Sequence, residues 1–459
     1  MTYTFAELDK WDKDYVWHPF TQMKTYRQER PLIIERGNGS YLYDIEGNRY
    51  LDGYSSLWVN VHGHNHPELN QALTDQAAHI AHSTLLGAAN VPSILLAKKL
   101  VELTPAGLDK VFYSDSGSTS VEIALKMAYQ YWKLKDAERY ADKNKFISLR
   151  EAYHGDTIGS VSVGGMDTFH TIFKPLLFER IEMPAPYTYR MTADNDPETC
   201  KVHCLTELEA ILREHHEEIA GLIIEPLVQG AAGMLTAPDG FLHGVRELCT
   251  RYHVLMIADE VAVGFGRTGT LFACEQENVK PDLMCIAKGL TAGYLPLAAT
   301  LTTDDVYSAF LGEPHELKTF FHGHTYTGNQ LACAVALKNI ELLERDGLIE
   351  TLPEKIEFLT QRLAAFRDLT HVGDVRQRGM MIGIELVRDR AAKEVFPPSL
   401  GVEHRVILHA RQNGAIIRPL GPVIVLMPIL AMSIDELDEL LTITYEAIKT
   451  VTIEAGQTI

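Results

Sequence analysis

Val254-Leu-Met-Ile-Ala-Asp259-Glu260 is an unbroken apolar run that ends on two carboxylates. A strand with no polar alternation is covered on both faces, as happens in a parallel sheet with helices on either side. Working outward, similar runs stand at Lys110 to Tyr113, Lys145 to Leu149, Leu222 to Ile224, Leu283 to Ile286 and Leu297 to Leu301, with helical periods between them. The alternation predicts an α/β fold with a mostly parallel sheet between about Leu69 and Leu337. Ile33 to Leu51 reads as two strands turned at Glu46-Gly47-Asn48, and Pro353 to Phe366 as a helix with proline at its first position. Val375 to Val387 reads as a strand, and Val402 to Gln412 and Ser433 to Lys449 as helices. The two ends, residues 1–68 and 338–459, are expected to build one small α+β domain beside a large domain of residues 69–337.

The 459 residues carry 42 Lys and Arg against 61 Asp and Glu, a formal charge of −19, which opposes a nucleic-acid backbone or an anionic bilayer. Apolar stretches such as Val423 to Met427 fall far short of the ~20 residues that cross a membrane. Neither nucleic acid nor membrane is expected as a partner. The six cysteines show no disulfide framework. Cys200-Lys-Val-His203-Cys204 could be drawn as metal ligands, but no second ligand pair adjoins it, and no metal is expected. Glu7, Asp9, Asp12 and Asp14 replace the apolar segment of a secretory leader, so the expected location is the cytoplasm.

The chemistry gathers at strand ends. Tyr113-Ser-Asp-Ser-Gly117-Ser118-Thr119 runs from a strand into a Gly/Ser turn that opens a helix, where free N–H groups and the dipole suit a phosphate. Thr119 and Glu122 read as the capping box of that helix, and capping alone is the bland alternative. Asp259 is a candidate magnesium ligand, salt-bridge member or partner of a protonated ring nitrogen. The first role needs a G-x-x-x-x-G-K-[S/T] loop, which the chain lacks. Gly264-Phe-Gly266-Arg-Thr-Gly269 matches G-x-G-x-x-G, yet two acids separate it from its strand, which argues against a dinucleotide site and an NAD-dependent dehydrogenase. Lys288 ends the strand Leu283 to Ile286, where desolvation would make its amine a nucleophile for a carbonyl. A phosphate cradle, an aspartate and a lysine together suit pyridoxal 5′-phosphate, and Tyr153 offers a ring to stack on the pyridine.

The segment from Asp259-Glu260 through Gly264-Phe-Gly-Arg267-Thr-Gly to Lys288-Gly289 resembles the signature of the class-III aminotransferases, and the likeness runs over nearly the whole chain. Trp17-His-Pro-Phe20, Ser55-Ser-Leu-Trp58-Val-Asn-Val-His-Gly-His-Asn-His-Pro67 and Phe321-His-Gly323-His324-Thr325 resemble the branch that aminates 8-amino-7-oxononanoate in biotin synthesis. The resemblance implies the fold-type I architecture of pyridoxal-phosphate enzymes and a homodimer with its active sites at the subunit interface. It implies that Lys288 holds the cofactor, Asp259 pairs its ring nitrogen, Tyr153 stacks on it, and Gly117 and Ser118 hold its phosphate. Thr325 would reach that phosphate from the second subunit, while Phe20, Trp58, Tyr153, Gly323, His324 and Arg418 border the substrate. Arg418, a cation in Ala415-Ile-Ile-Arg-Pro, suits a carboxylate, with an internal ion pair as the alternative. Glu225 reads as a residue that orients site groups, through Arg267 or another base. The family often has Tyr at the place of Phe20 and Pro at that of His324, and both departures look like a branch that takes its amine from L-lysine. The donor stays open between L-lysine and S-adenosylmethionine. A broader ω-amine:pyruvate transaminase or an aminomutase would share the cofactor residues.

Overall fold

The computed structural model describes residues 3–192 and 195–457. At its centre lies a seven-stranded sheet: β1 Leu108–Ser114, β2 Lys145–Leu149, β3 Ile181–Met183, β4 Ile219–Ile224, β5 Leu255–Asp259, β6 Leu283–Ile286 and β7 Ala298–Thr303. Their spatial order is β1-β7-β6-β5-β4-β2-β3. The run from β6 to β3 is parallel, whereas β7 is antiparallel to both of its neighbours. Every residue of β4, β5 and β6 is buried, the state that their lack of polar alternation implies. Sequence pattern does not reveal β3, whose three residues alternate and carry Glu182.

Both faces are covered. The helix Gly117–Lys135 lays Val121, Leu125, Ala128 and Trp132 against Phe146, Ile223, Ile257 and Leu283. Trp132 Nε1 donates to Ala220 O at 2.8 Å, so its one polar atom is satisfied inside the core. On the other face, the helices Pro197–His215 and Phe241–Arg251 bury Cys200, Cys204, Leu242, Val245 and Cys249 with Met256 and Ala258. Cys200 and Cys204 turn inward to the Met191 sulfur, at 3.6 and 3.8 Å, and behave as small apolar groups.

The chain ends meet. Strands Ile34–Asn38, Tyr41–Asp44 and Arg49–Asp52 form a sheet completed by Ala415–Ile416, which runs parallel to Arg49–Asp52. A second sheet joins Val372–Arg378, Met381–Leu386, Val423–Leu426 and Arg418–Leu420. These pairings bring the two chain ends together, while the helices Pro67–His79 and Gln330–Arg345 run straight through the boundaries expected at 68/69 and 337/338.

Four local expectations are corrected by the structure. Ile33 to Leu51 holds three strands, because Gly39, at φ 54°, makes a second turn. Val375 to Val387 lies in a hairpin bent at Gly379, at φ 61°. Pro353 sits inside the helix Leu348–Leu363, past the first turn, where its missing N–H forfeits the bond to the carbonyl of Ile349. The cap of Gly117–Lys135 is Ser116 with Thr119, while Glu122 Oε1 accepts from Gly159 N at 2.7 Å. Among the described residues, no helix is long and apolar enough to cross a membrane.

Candidate active site

The parallel strands deliver their C-terminal ends to one edge of the sheet, where ligands of open α/β folds sit. Asp259 closes β5, Glu225 follows β4, Lys288 stands two residues beyond β6, and Tyr153 follows β2. Together with Phe20, Trp58, Gly117, Ser118 and Arg418, they line a cavity of about 450 Å³. Phe20 and Lys288, far apart in the chain, thus close into one pocket.

Lys288 occupies the left-handed region at φ 46°, and its Nζ lies 4.8 Å from the centre of the Trp58 ring. No described residue accepts a hydrogen bond from that amine. Burial pulls its pKa down to about 8, against the opposing pull of Asp259 and Glu225. The neutral, nucleophilic form therefore predominates above about pH 8. Capture of pyridoxal 5′-phosphate by the apoenzyme should accelerate with rising pH, with its midpoint near that value and a plateau above it. Stopped-flow absorbance measures it, and a midpoint above about pH 10, the range of an ordinary lysine, would contradict the assignment.

Trp58 reaches the lysine from an unusual backbone. Ser55, Ser56, Leu57 and Trp58 have φ of 53°, 48°, 72° and 69°, a single left-handed turn built without glycine. Such residues cost roughly 1–2 kcal/mol each, so other contacts must hold them. Fully buried Asp52 accepts from Ser56 N at 2.9 Å and from Ser56 Oγ at 2.7 Å, while Ser55 Oγ donates to Met427 O at 2.6 Å. Trp58 Nε1 is buried with no acceptor among the described residues.

Asp259 Oδ2 lies 2.7 Å from His154 Nδ1, and Asp259 Oδ1 accepts from Val261 N at 3.1 Å. Two contacts thus fix the plane of the carboxylate. His154 follows Tyr153 directly, yet the sequence alone assigns it no role. Its position beyond β2, next to a glycine, is the one local signal. Glu225 accepts from Tyr153 N at 3.2 Å and Gly230 N at 2.9 Å, and burial pushes its carboxyl up to about 7. Arg267 does not reach it: that buried guanidinium donates to Pro428 O and Asn60 O at 2.7 and 2.6 Å. The glycines around Arg267 serve its turn, since a Cβ at Gly266 would stand 2.8 Å from Ile349 and Leu430.

At the helix entrance, Ser116 Oγ and O take the N–H groups of Thr119 and Ser120, which leaves those of Gly117 and Ser118 free. A Cβ on Gly117 would lie 2.6 Å from Val261 Cγ1, and one on Gly155 would lie 2.1 Å from Ser118 Oγ. These bare positions, the unpaired Lys288 amine and the fixed Asp259 carboxylate fit pyridoxal 5′-phosphate. Gly117→Ala should weaken cofactor binding about tenfold or more, as overpacking costs roughly 1–3 kcal/mol. Titration of the apoenzyme reads it out.

Phe20 borders the cavity at its mouth, 5.5 Å from the Phe169 ring. Arg418 has no ion-pair partner among the described residues, so the internal-pair reading fails, and its Nε is buried without an acceptor. Gly323, His324 and Thr325 stand outside the cavity on a loop where Phe321 is 72% exposed and Tyr326 62%. His324 Nε2 comes only to 3.9 Å from Asp115.

The pattern of the family described as aminotransferase class-III matches residues 23–448. An adenosylmethionine-8-amino-7-oxononanoate aminotransferase of Geobacter sulfurreducens is 55% identical over 98% of this chain and 99% of its own. One from Methanocaldococcus jannaschii is 50% identical over 96% and 98%. The crystal structure of the Methanocaldococcus enzyme superposes with a TM-score of 0.93 at 49% identity, covering 97% of this chain and 99% of the other. An (S)-enantioselective omega-transaminase from Thermomicrobium roseum also gives 0.93, at 38% identity over 98% and 99%. A lysine, a carboxylate and a helix entrance converging at the strand ends of an α/β sheet, with likeness of this extent, lead to one conclusion: the chain belongs to the class-III aminotransferases and is a pyridoxal-phosphate-dependent aminotransferase.

Proposed function

We propose that the enzyme aminates 8-amino-7-oxononanoate to 7,8-diaminononanoate in biotin biosynthesis, with S-adenosylmethionine as the amino donor. Six relatives of 50–56% identity carry the corresponding name, which supports both substrate and donor. The structural observation that carries the reading is a largely apolar cavity with the Lys288 amine inside and the unpaired Arg418 guanidinium on its wall. An aliphatic keto acid needs that pairing of apolar wall and fixed cation. A clamp for the substrate carboxylate is therefore assigned to Arg418.

When bound, pyridoxal phosphate supplies an aldehyde for the amine and a ring that accepts electrons. Gly117 and Ser118 would hold its phosphate with their N–H groups, and Tyr153 would cover its ring. Lys288 Nζ acts as the base and then the acid that moves a proton at the reacting carbon, and its lowered pKa suits both directions. Asp259, held by His154 and Val261, keeps the proton on the ring nitrogen. Trp58 and Phe20 confine the aliphatic chain and exclude water. Gly323, His324 and Thr325 would enter the site of a second copy, Thr325 at the phosphate, in a cytoplasmic homodimer. The exposed Phe321 and Tyr326 beside them support that placement.

The test offers purified enzyme 8-amino-7-oxononanoate with S-adenosylmethionine and, separately, with L-lysine, and measures 7,8-diaminononanoate. Product with S-adenosylmethionine is expected. Product with L-lysine alone moves the donor to the branch that Phe20 and His324 resemble. Activity toward simple ketones with none toward 8-amino-7-oxononanoate replaces the reading with an ω-transaminase, the activity named for the Thermomicrobium structure.

A further inference from the structure

Next to the catalytic cavity lies a second, of about 620 Å³, which shares Phe20 and Arg418 with it and is lined in addition by Tyr54, Ile407, Arg411 and Ile416. Arg411 comes from the last turn of the helix Val402–Gln412, and Arg418 from the strand that follows. Each guanidinium has a buried Nε without an acceptor, and neither forms an ion pair among the described residues. The Tyr54 hydroxyl has no described hydrogen-bond partner either. Burial and then Asp52 raise the pKa of Tyr54, and both arginines lie close enough to oppose part of that rise.

Three groups able to donate thus line one space, and although Arg411 also borders a smaller cavity with Asp44 and Glu46, no described carboxylate comes within ion-pair distance of either guanidinium; the nearby ones already accept from other donors. Asp52 is held by Ser56 and His64, Glu29 by His404, and Asp12 by His18 and Tyr26. Asp44 accepts from Asn48 and Tyr50. In a chain of charge −19, two unpaired guanidiniums beside a phenol form a place that lacks an anion. Ile407 and Ile416 offer the adjoining surface to methylene groups.

We infer that this second cavity is the carboxylate end of the active site, where Arg411 and Tyr54 join Arg418 as ligands for the carboxylate of a long aliphatic substrate. The inference rests on the proposed keto-acid reaction for its biological meaning, but not for its test. Two guanidiniums on one carboxylate select for charge.

Isothermal titration of the holoenzyme tests it with nonanoate, 1-nonanol and inorganic phosphate. Nonanoate carries the chain and the carboxylate but neither ketone nor amine. It should bind at least tenfold more tightly than either of the others, and Arg411→Gln and Tyr54→Phe should each weaken it about five- to tenfold. Arg411→Lys should recover part of the loss, with the cofactor absorbance as the control for folding. Unchanged nonanoate affinity in both variants overturns the inference. An equal loss for 1-nonanol also overturns it, since a merely structural role would produce that. Phosphate binding as tightly as nonanoate overturns it in favour of a free-anion site. If nonanoate behaves as expected but 8-amino-7-oxononanoate is not turned over, the proposed reaction fails and the carboxylate site stands. If turnover is normal but the variants leave nonanoate affinity unaltered, the reaction stands and the carboxylate site is overturned.

Discussion

Lys288→Ala is expected to lower transamination by roughly 10³- to 10⁴-fold or more, because the general acid–base catalysis and the covalent hold on the cofactor proposed for this amine would disappear together. The amine is the unpaired basic group beside the Trp58 ring inside the cavity, and no described neighbour can replace it. The free N–H groups of Gly117 and Ser118, the proposed phosphate cradle, are untouched, so cofactor should still bind, without the covalent link. Steady-state kinetics combined with absorbance separates the two effects. Retention of more than about a tenth of the activity would remove Lys288 from its role. Loss of all cofactor binding would show that the cradle contributes less than its geometry implies.

Asp259→Asn is expected to lower kcat by about 10²- to 10³-fold, on the scale of losing one preorganised electrostatic group. Asparagine keeps the size and one acceptor, so the fold and the 2.7 Å contact to His154 can survive while the full negative charge does not. His154→Gln should show a smaller loss through the same atom. A double variant then reports coupling: if His154 acts through Asp259, its effect should largely vanish when Asp259 is already Asn. Additive losses would assign His154 a separate function.

Much of the sheet was legible because burial on both faces leaves an unambiguous mark. Leu255 to Asp259 and Leu283 to Ile286 carry no polar alternation, and the residues at their ends, Asp259 and Lys288, stand where the structure puts the cavity. Short-range sequence pattern served less well where tertiary contact decides. Thr119 and Glu122 look like a capping box, yet Glu122 serves Gly159 from across a gap of 37 residues. Pro353 looks like a helix start, and the structure places it inside one. Glu225 and Arg267 look complementary in charge, but Arg267 spends its donors on carbonyls of Asn60 and Pro428. His154, Tyr54 and Arg411 were invisible as site residues because nothing local distinguishes them. Their significance comes from partners at Asp259 and Arg418, brought to them only by the fold.

The turn Ser55–Trp58 implies an antagonism between heat resistance and turnover. Leu57 sits at φ 72° and is 46% exposed, so glycine there would relieve strain while giving up little packing. Leu57→Gly should therefore leave stability unchanged or raise it by up to about 1 kcal/mol. The same change loosens the indole beside Lys288, and KM should rise while the melting temperature holds or climbs. Directed improvement of thermal tolerance would find this loop early and lose catalysis by accepting it. Leu57 thus holds a conformation that folding alone would assign to glycine.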